Sequence, residues 1–369
     1  MKKLVLPLLA TALLSVGCTS ETNPPDTENN ANAETMRYIR QDHDYYKNGI
    51  IFGSDYALFA DFDTLEKAPL CAKPNCSHNS QSCVAYVVGT TPVLYDNHAY
   101  YFTSIADVRE TPDGSEFYID SKLMRVTLDS SEAEAVCEFD DCAPDNPGKY
   151  LLAGNELYFV ADDMGPSTDD YGIISFSNSG GSHFLCSIDL NTGEYTNYGS
   201  IYDGDKEYEF AAASSGGDVV GWYNGKIYVR YSFMKEDPRV LGIAAEENWT
   251  HMNFEFDINT KELVSSQLPA ALFANQNTYV YLDEETQTTK VLINDTMYDI
   301  PRYNLYSSFV RVANNKVFFS DCWYDLTDLS EHSLGEYENP GSVTYYDGHY
   351  VLISGGRIVK LTEEELRNL

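Results

Sequence analysis

The sequence predicts an all-β chain folded as a β-propeller of seven four-stranded blades. Three observations predict it. A unit of strand, turn, strand, loop, strand and turn recurs along the chain and is best preserved at Tyr150–Tyr195. Asn-Gly, Asp-Gly and related pairs recur just ahead of apolar-aromatic strands, and such pairs favour tight hairpins because both central residues need positive φ. The 29 Tyr and 17 Phe suit pleated surfaces, where flat side chains pack well.

The hairpin turns fall at Asn48-Gly49, Asp96-Asn97, Gly154-Asn155, Asn224-Gly225, Asn314-Asn315 and Asp347-Gly348. Each precedes a strand such as Tyr100-Tyr101-Phe102 or Val317-Phe318-Phe319. A weaker unit lies around Thr278–Tyr281 and Val291–Ile293. The third strand of the best unit alternates Phe184, Cys186, Ile188, Leu190 and ends in Asp189-Leu-Asn-Thr-Gly-Glu194. The pattern returns at Met252, Phe254, Phe256, Ile258 with Asp257-Ile-Asn-Thr-Lys-Glu262, and more faintly at residues 61–66, 127–132, 325–330 and 360–365. Period-2 alternation running into such a turn reads as a strand entering a hairpin. Six or eight blades would also satisfy the spacing, because the units near 278 and 317 are degenerate. The last unit, from Ser342, has room for three strands. The segment Met36–Gln41 could supply its fourth, so that strands from both termini close the ring and remove exposed edges. Helical periodicity is confined to the acidic end Thr362–Leu369.

The first residues read as processing. Met1-Lys2-Lys3 is followed by a largely apolar run of 13 residues, Leu4 to Val16, and then Gly17-Cys18. This resembles a bacterial lipoprotein signal, with Cys18 the lipidated residue, although Ser15 stands three before the cysteine in place of Leu. Residues 1–17 are then a signal peptide. Residues 18–35, rich in Asn, Glu, Thr and Pro, form a disordered tether with too little apolar surface to fold. Residues 36–369 are a single propeller domain. The expected location is the cell membrane, lipid-anchored on its extracytoplasmic face. The balance of 24 Lys+Arg against 57 Asp+Glu, a net charge of −33, argues against nucleic acid as a partner.

Successive loops of antiparallel strands alternate between the two faces of a disc. The long inserts, roughly Ser104–Ser121, Ala161–Ser182 and Ser232–Thr250, are all second-to-third-strand loops of blades two, three and four. The connections Cys71–Pro92 and Cys137–Gly148 are expected on the same face. That face would then bind a protein, peptide or glycan through blades one to four. Asp162, Asp163, Asp169, Asp170, Tyr171, Phe233 and Trp249 are its candidate ligand-binding residues. A carbohydrate-active enzyme using loop carboxylates is the alternative, and an architectural envelope protein a third. No Gly-x-Ser-x-Gly elbow, phosphate-cradling Gly-rich loop or His-Glu-x-x-His is present, so no catalytic residue is assigned. Asp189-x-Asn191-x-Gly193 mimics the start of a calcium loop but lacks the later ligands, and reads as a turn.

Eight cysteines punctuate the chain. Cys186 and Cys322 lie at matching places on third strands and read as small buried hydrophobes. Cys71-Ala-Lys-Pro-Asn-Cys76-Ser-His78-Asn-Ser-Gln-Ser-Cys83 places four soft ligands within 13 residues, and Cys137-Glu-Phe-Asp-Asp-Cys142 repeats the Cys-x4-Cys half. In one reading Cys71, Cys76, His78 and Cys83 bind Zn²⁺ tetrahedrally. In another, Cys71–Cys76 and Cys137–Cys142 are small-loop disulfides of an exported protein. Free thiols are a third. The stretch Leu70–Ala85 resembles a segment of uncharacterised propeller-like lipoproteins from Gram-positive anaerobes. That resemblance implies the fold and the location and carries over no catalytic residue.

Overall fold

A computed structural model of the chain describes residues 36–369, except 40–42, 54–55, 80–82, 89–90, 112–113, 131, 141, 145–148, 163–165, 169–173, 177–182, 203–214, 235–248 and 304–308. The chain is a β-propeller. Blade one comprises His43–Tyr46, Gly49–Phe52, Leu58–Asp61 and Lys67–Pro69, and blade two Val93–Tyr95, His98–Thr111, Gly114–Thr127 and Glu134–Asp140. Blade three comprises Tyr150–Ala153, Glu156–Asp162, His183–Asp189 and Tyr195–Tyr202, and blade four Ser215–Tyr223, Lys226–Met234, Trp249–Asp257 and Glu262–Ser265. Blade five runs through Ala271–Asn275, Thr278–Asp283, Thr288–Ile293 and Thr296–Ile300. Blade six has Arg311–Ala313, Lys316–Phe318, Cys322–Asp325 and Glu331–Ser333. Blade seven has three strands, Ser342–Tyr346, His349–Ser354 and Arg357–Leu361.

The turns follow from local chemistry. Positive φ occurs at Asp96 and Asn97, Asn224 and Gly225, Asn314 and Asn315, and Asp347 and Gly348, so these two-residue turns match the twist of their hairpins. The Asp-x-Asn-Thr copies are side-chain-capped turns. Asp189 Oδ1 accepts from the amides of Asn191 (2.8 Å) and Thr192 (3.0 Å), and Asp257 Oδ1 from Asn259 (2.8 Å) and Thr260 (3.2 Å). Asp61 does the same with Asp63 and Thr64. The calcium-like start at Asp189 thus spends its carboxylate on its own backbone. The amides of Thr260 and Asn259 hold the Asp257 carboxyl below its usual range.

Each blade buries both faces against its neighbours. Blades three and four share Leu151, Tyr158, Val160 and Leu185 with Tyr231 and Phe256; blades five and six share Val280 and Val291 with Val317 and Phe319. The ring closes between blades seven and one, where Val351 and Ile353 meet Ile50, Ala60 and Phe62. Lys360 Nζ donates to the Phe62 carbonyl (3.2 Å) and Tyr346 to Asp63 (3.3 Å) across this seam. The seven described clusters correspond to seven blade junctions, which supports the seven-blade count. The first strands of blades four and five pair in parallel at Gly221 and Ala274. A Cβ at Gly221 would stand 1.9 Å from the Ala274 carbonyl oxygen, so only glycine fits there.

The N-terminal strand corrects the expected closure. Met36–Ile39 does not complete blade seven; it pairs antiparallel with Tyr150–Ala153, the first strand of blade three. Arg37 explains the choice. Its Nε lies 3.1 Å from buried Asp44 on the first strand of blade one, and its guanidinium donates to the Leu94 carbonyl on the first strand of blade two. Tyr38 donates to the Val219 carbonyl of blade four (2.8 Å), and Ile39 is fully buried. The strand therefore lies among the innermost strands of blades one to four, inside the ring.

Asp44 has a measurable consequence. Burial pushes its carboxyl up to about 7, against the opposing pull of Arg37. The folded chain then holds a proton that the unfolded chain has lost above about pH 4, so stability falls as pH rises from about 4 to about 7. Asp44→Asn is expected to abolish this slope, as read from denaturant melts across that range.

The C-terminal helix Glu363–Arg367 starts in a capping box, in which Thr362 and Glu365 satisfy each other's amides. It buries Leu366 against the junction of blades six and seven, beside Trp323, Leu334 and Leu352. Arg367 and Lys316 both reach Asp325, and both also reach Glu363.

Candidate metal centre

The connection from blade one to blade two is wedged between those blades. Leu70, Cys83, Val84, Ala85 and Val88 are buried with Ile51 of blade one and Leu94, Ala99 and Val126 of blade two, and Cys71 and Cys76 pack against this core. The expectation that the connection projects from a binding face is corrected for this part. Apolar residues at 70, 84, 85 and 88 draw it inward. Backbone bonds pin it at Ala57–Ala85 (3.0 Å), Leu70–Ala57 (2.9 Å) and Ala72–Leu128 (2.6 Å).

Local geometry then gathers the ligands. Cys71 follows the last strand of blade one. The Lys73–Cys76 turn closes through the Cys76 amide and Lys73 carbonyl (3.3 Å), with Asn75 at φ 57°. His78 adopts φ 52°, a left-handed conformation that His tolerates better than most residues. Cys83 immediately precedes the short helix Val84–Val87 and is fully buried. One ligand atom from each of Cys71, Cys76, His78 and Cys83 lies within 4.8 Å of all the others, and His78 Nδ1 is 3.5 Å from Cys83 Sγ. Zinc bond lengths at tetrahedral angles put sulfur and nitrogen about 3.6 Å apart and two sulfurs about 3.8 Å apart. The cluster could hold a metal ion.

The electrostatics are uneven. The His78 amide donates to the Cys76 sulfur and, helped by Lys73, holds that thiol below its usual range. Burial pushes the free Cys83 thiol up to about 12, even though the Ala85 amide favours its thiolate. A bound dication reverses that preference, since a ligating thiol gives up its proton.

The described cysteines form no disulfide, which corrects the pairings Cys71–Cys76 and Cys137–Cys142. Cys71 and Cys76 turn instead toward His78 and Cys83. Cys137 sits within the strand Glu134–Asp140 and Cys142 beyond its end. Cys142 packs in the core of blades two and three. Tyr195 lies there too, its hydroxyl 2.9 Å from Cys186 Sγ. Cys186 and Cys322 are buried, as expected, and burial pushes both thiols up to about 12.

The candidate ligand-binding residues fare differently. Asp162 is buried, cross-strand from buried His183 with Oδ1 3.9 Å from Nδ1, and His183 lies against the Tyr231 ring. It belongs to the interior between blades three and four, which corrects its surface role. Asp163, Asp169, Asp170 and Tyr171 lie outside the described residues. Phe233 and Trp249 fall on paired strands, opposite Thr250 and Met234, and their side chains also lie outside what is described. The Ser104–Ser121 insert is not a loop: it continues two strands of blade two as a ladder from Ser104–Ser121 to Thr111–Gly114. Cys18 lies outside the described residues.

Two features escaped the sequence reading. One is the Arg37–Asp44 pair, whose only signal was a lone Arg in an otherwise apolar four-residue strand. The other is a cavity of about 420 Å³ at the seam of blades seven and one, lined by His43, Phe52, Leu58, Lys67, Ser342 and Ile353 among others. Nothing local marks it, because two sequence-distant blades make its walls. Among the described residues no helix is long and apolar enough to cross a membrane.

No protein-family model matches the chain, and no curated protein matches it. Among solved structures it is similar to an oligogalacturonate lyase from Vibrio parahaemolyticus at 11% identity and a TM-score of 0.46, covering 89% of this chain and 92% of that one. It is similar to the β-propeller domain of the Trilobed protease from Pyrococcus furiosus at 8% identity and a TM-score of 0.41, covering 90% and 92%. A putative 6-phosphogluconolactonase from Bacteroides fragilis aligns at 10% identity and a TM-score of 0.39, covering 89% and 95%. These identities are too low to carry over the role of any residue.

Proposed function

We propose that the chain is an exported, lipid-anchored propeller that serves as a binding module, with a structural Zn²⁺ held by Cys71, Cys76, His78 and Cys83. The convergence of four soft ligand atoms within 4.8 Å carries the metal assignment. Three thiolates and an imidazole complete a tetrahedron and leave no open position for substrate, so the ion staples and does not catalyse. Its place in the wedge between blades one and two suits that role. The seam cavity, lined by His43, Lys67 and Ser342 among others, offers one recess for a ligand; the carbohydrate-active alternative requires two facing carboxylates roughly 5–10 Å apart across a pocket.

The metal reading is tested by elemental analysis of purified protein, with about one zinc per chain expected and metal-free protein overturning it. The anchor is tested by fractionation. The wild-type chain is expected with membranes and Cys18→Ser in the soluble fraction; equal partition of the two would remove the anchor.

A further inference from the structure

The first strands of the blades share one direction. In blade three that strand runs from Tyr150 to Ala153 and delivers the chain to the Gly154-Asn155 turn, on the tight-turn face. The parallel bridge between Gly221 and Ala274 shows the same direction in blades four and five. The N-terminal strand runs the opposite way, with Met36 beside Ala153 and Ile39 beside Tyr150. The chain preceding Met36 therefore enters the ring at the tight-turn face. After Ile39 it emerges on the insert-bearing face, where blade one begins at His43. The strand is tied to four blades at once, through its pairing with blade three, Arg37 to Asp44 and Leu94, and Tyr38 to Val219. A pull on the N-terminus is thus borne at the centre of the ring and from one side only.

We propose that this threading strand sets the sidedness of the protein: the tight-turn face is turned toward the membrane and the insert-bearing face is presented outward. The proposal rests on the lipid-anchor reading of Cys18. Residues 19–35 reach about 60 Å when fully extended and about 20–25 Å on average, so the tether brings the disc near the bilayer without forcing contact. The tight-turn face carries the turn aspartates Asp61, Asp189 and Asp257. An anionic bilayer repels such a face within a Debye length, about 8 Å at physiological salt. That repulsion keeps the tight-turn face off the bilayer surface without reversing the side from which the tether enters, and the insert-bearing face is left open to a molecule arriving from outside the cell.

The test places an epitope after Glu132, in a tight turn of blade two, or after Glu285, in the opposite-facing turn of blade five. Both residues are exposed. Each full chain, with residues 21–32 removed to shorten the tether, is lipidated and incorporated in anionic vesicles, and Fab binding is compared with the same chain in detergent. Severalfold loss of Fab binding on vesicles is expected for the epitope after Glu132 and none for that after Glu285. Equal loss, or the reverse order, overturns the proposal. If wild-type and Cys18→Ser chains both fail to join vesicles, the anchor reading fails instead. Sidedness is then read on the Cys18→Ser chain, biotinylated at its N-terminus and held on a streptavidin surface, where the same order is expected and the reverse overturns it.

Discussion

Changing Cys83 to Ser is expected to release the proposed zinc and loosen the junction of blades one and two. Zinc falls from about one per chain to near zero, because a neutral hydroxyl replaces a thiolate in a three-sulfur set. The hydroxyl is also left in a fully buried position, which alone costs about 1–3 kcal/mol if unpaired. Loss of the metal adds to that, since an ion that binds only the folded chain stabilises it. His78→Ala is expected to lower zinc affinity with a smaller fall in stability, because His78 is only partly buried. Cys137→Ser controls for a general thiol effect and is expected to leave zinc content unchanged. Full zinc retention in Cys83→Ser would remove the site.

Trp323→Ala is expected to destabilise the protein by about 3–5 kcal/mol, the range for deleting a buried Trp or Phe side chain. Trp323 is completely buried. It stacks on His332 at 4.1 Å and 10°, and lies beneath Lys316 and Arg367 at 5.2 and 5.7 Å. Its indole therefore joins blade six to the C-terminal helix through Arg367 and Leu366. The variant is expected to release that helix before the ring opens, so proteolysis near Leu366 should precede global unfolding. Chemical melts with limited proteolysis check both. A loss under about 1 kcal/mol would show that the site collapses around the gap.

The turns were the most legible part of the chain. Each is a local contract: Asn and Asp adopt positive φ cheaply, and an aspartate can cap the two amides that follow it, so a few adjacent residues suffice. The candidate metal ligands were legible for the same reason, lying within 13 residues. Their setting was not. Whether Cys71–Cys83 projects or wedges depends on Ile51, Leu94 and Val126, which approach only after both blades form. Asp162 misled because a polar insert follows it; its partner His183 stands 21 positions on and becomes adjacent only when the strands are in register. The long hairpin of blade two, paired as far as Thr111 and Gly114, carried a readable alternation, but its polar residues had marked it as loop.

The N-terminal strand also bears on how the protein is made. Met36–Ile39 leads the described chain, yet its partner Tyr150–Ala153 is synthesised over a hundred residues later, and Val219 later still. Pairing at such sequence separation raises contact order and slows folding, because loops must close before the contacts reward them. Until blade three has formed, the strand has no partner to pair with. Because its partners come from blades one to four, those blades are expected to gather around the strand before the ring closes between blades seven and one, which ties the order of assembly to the sequence.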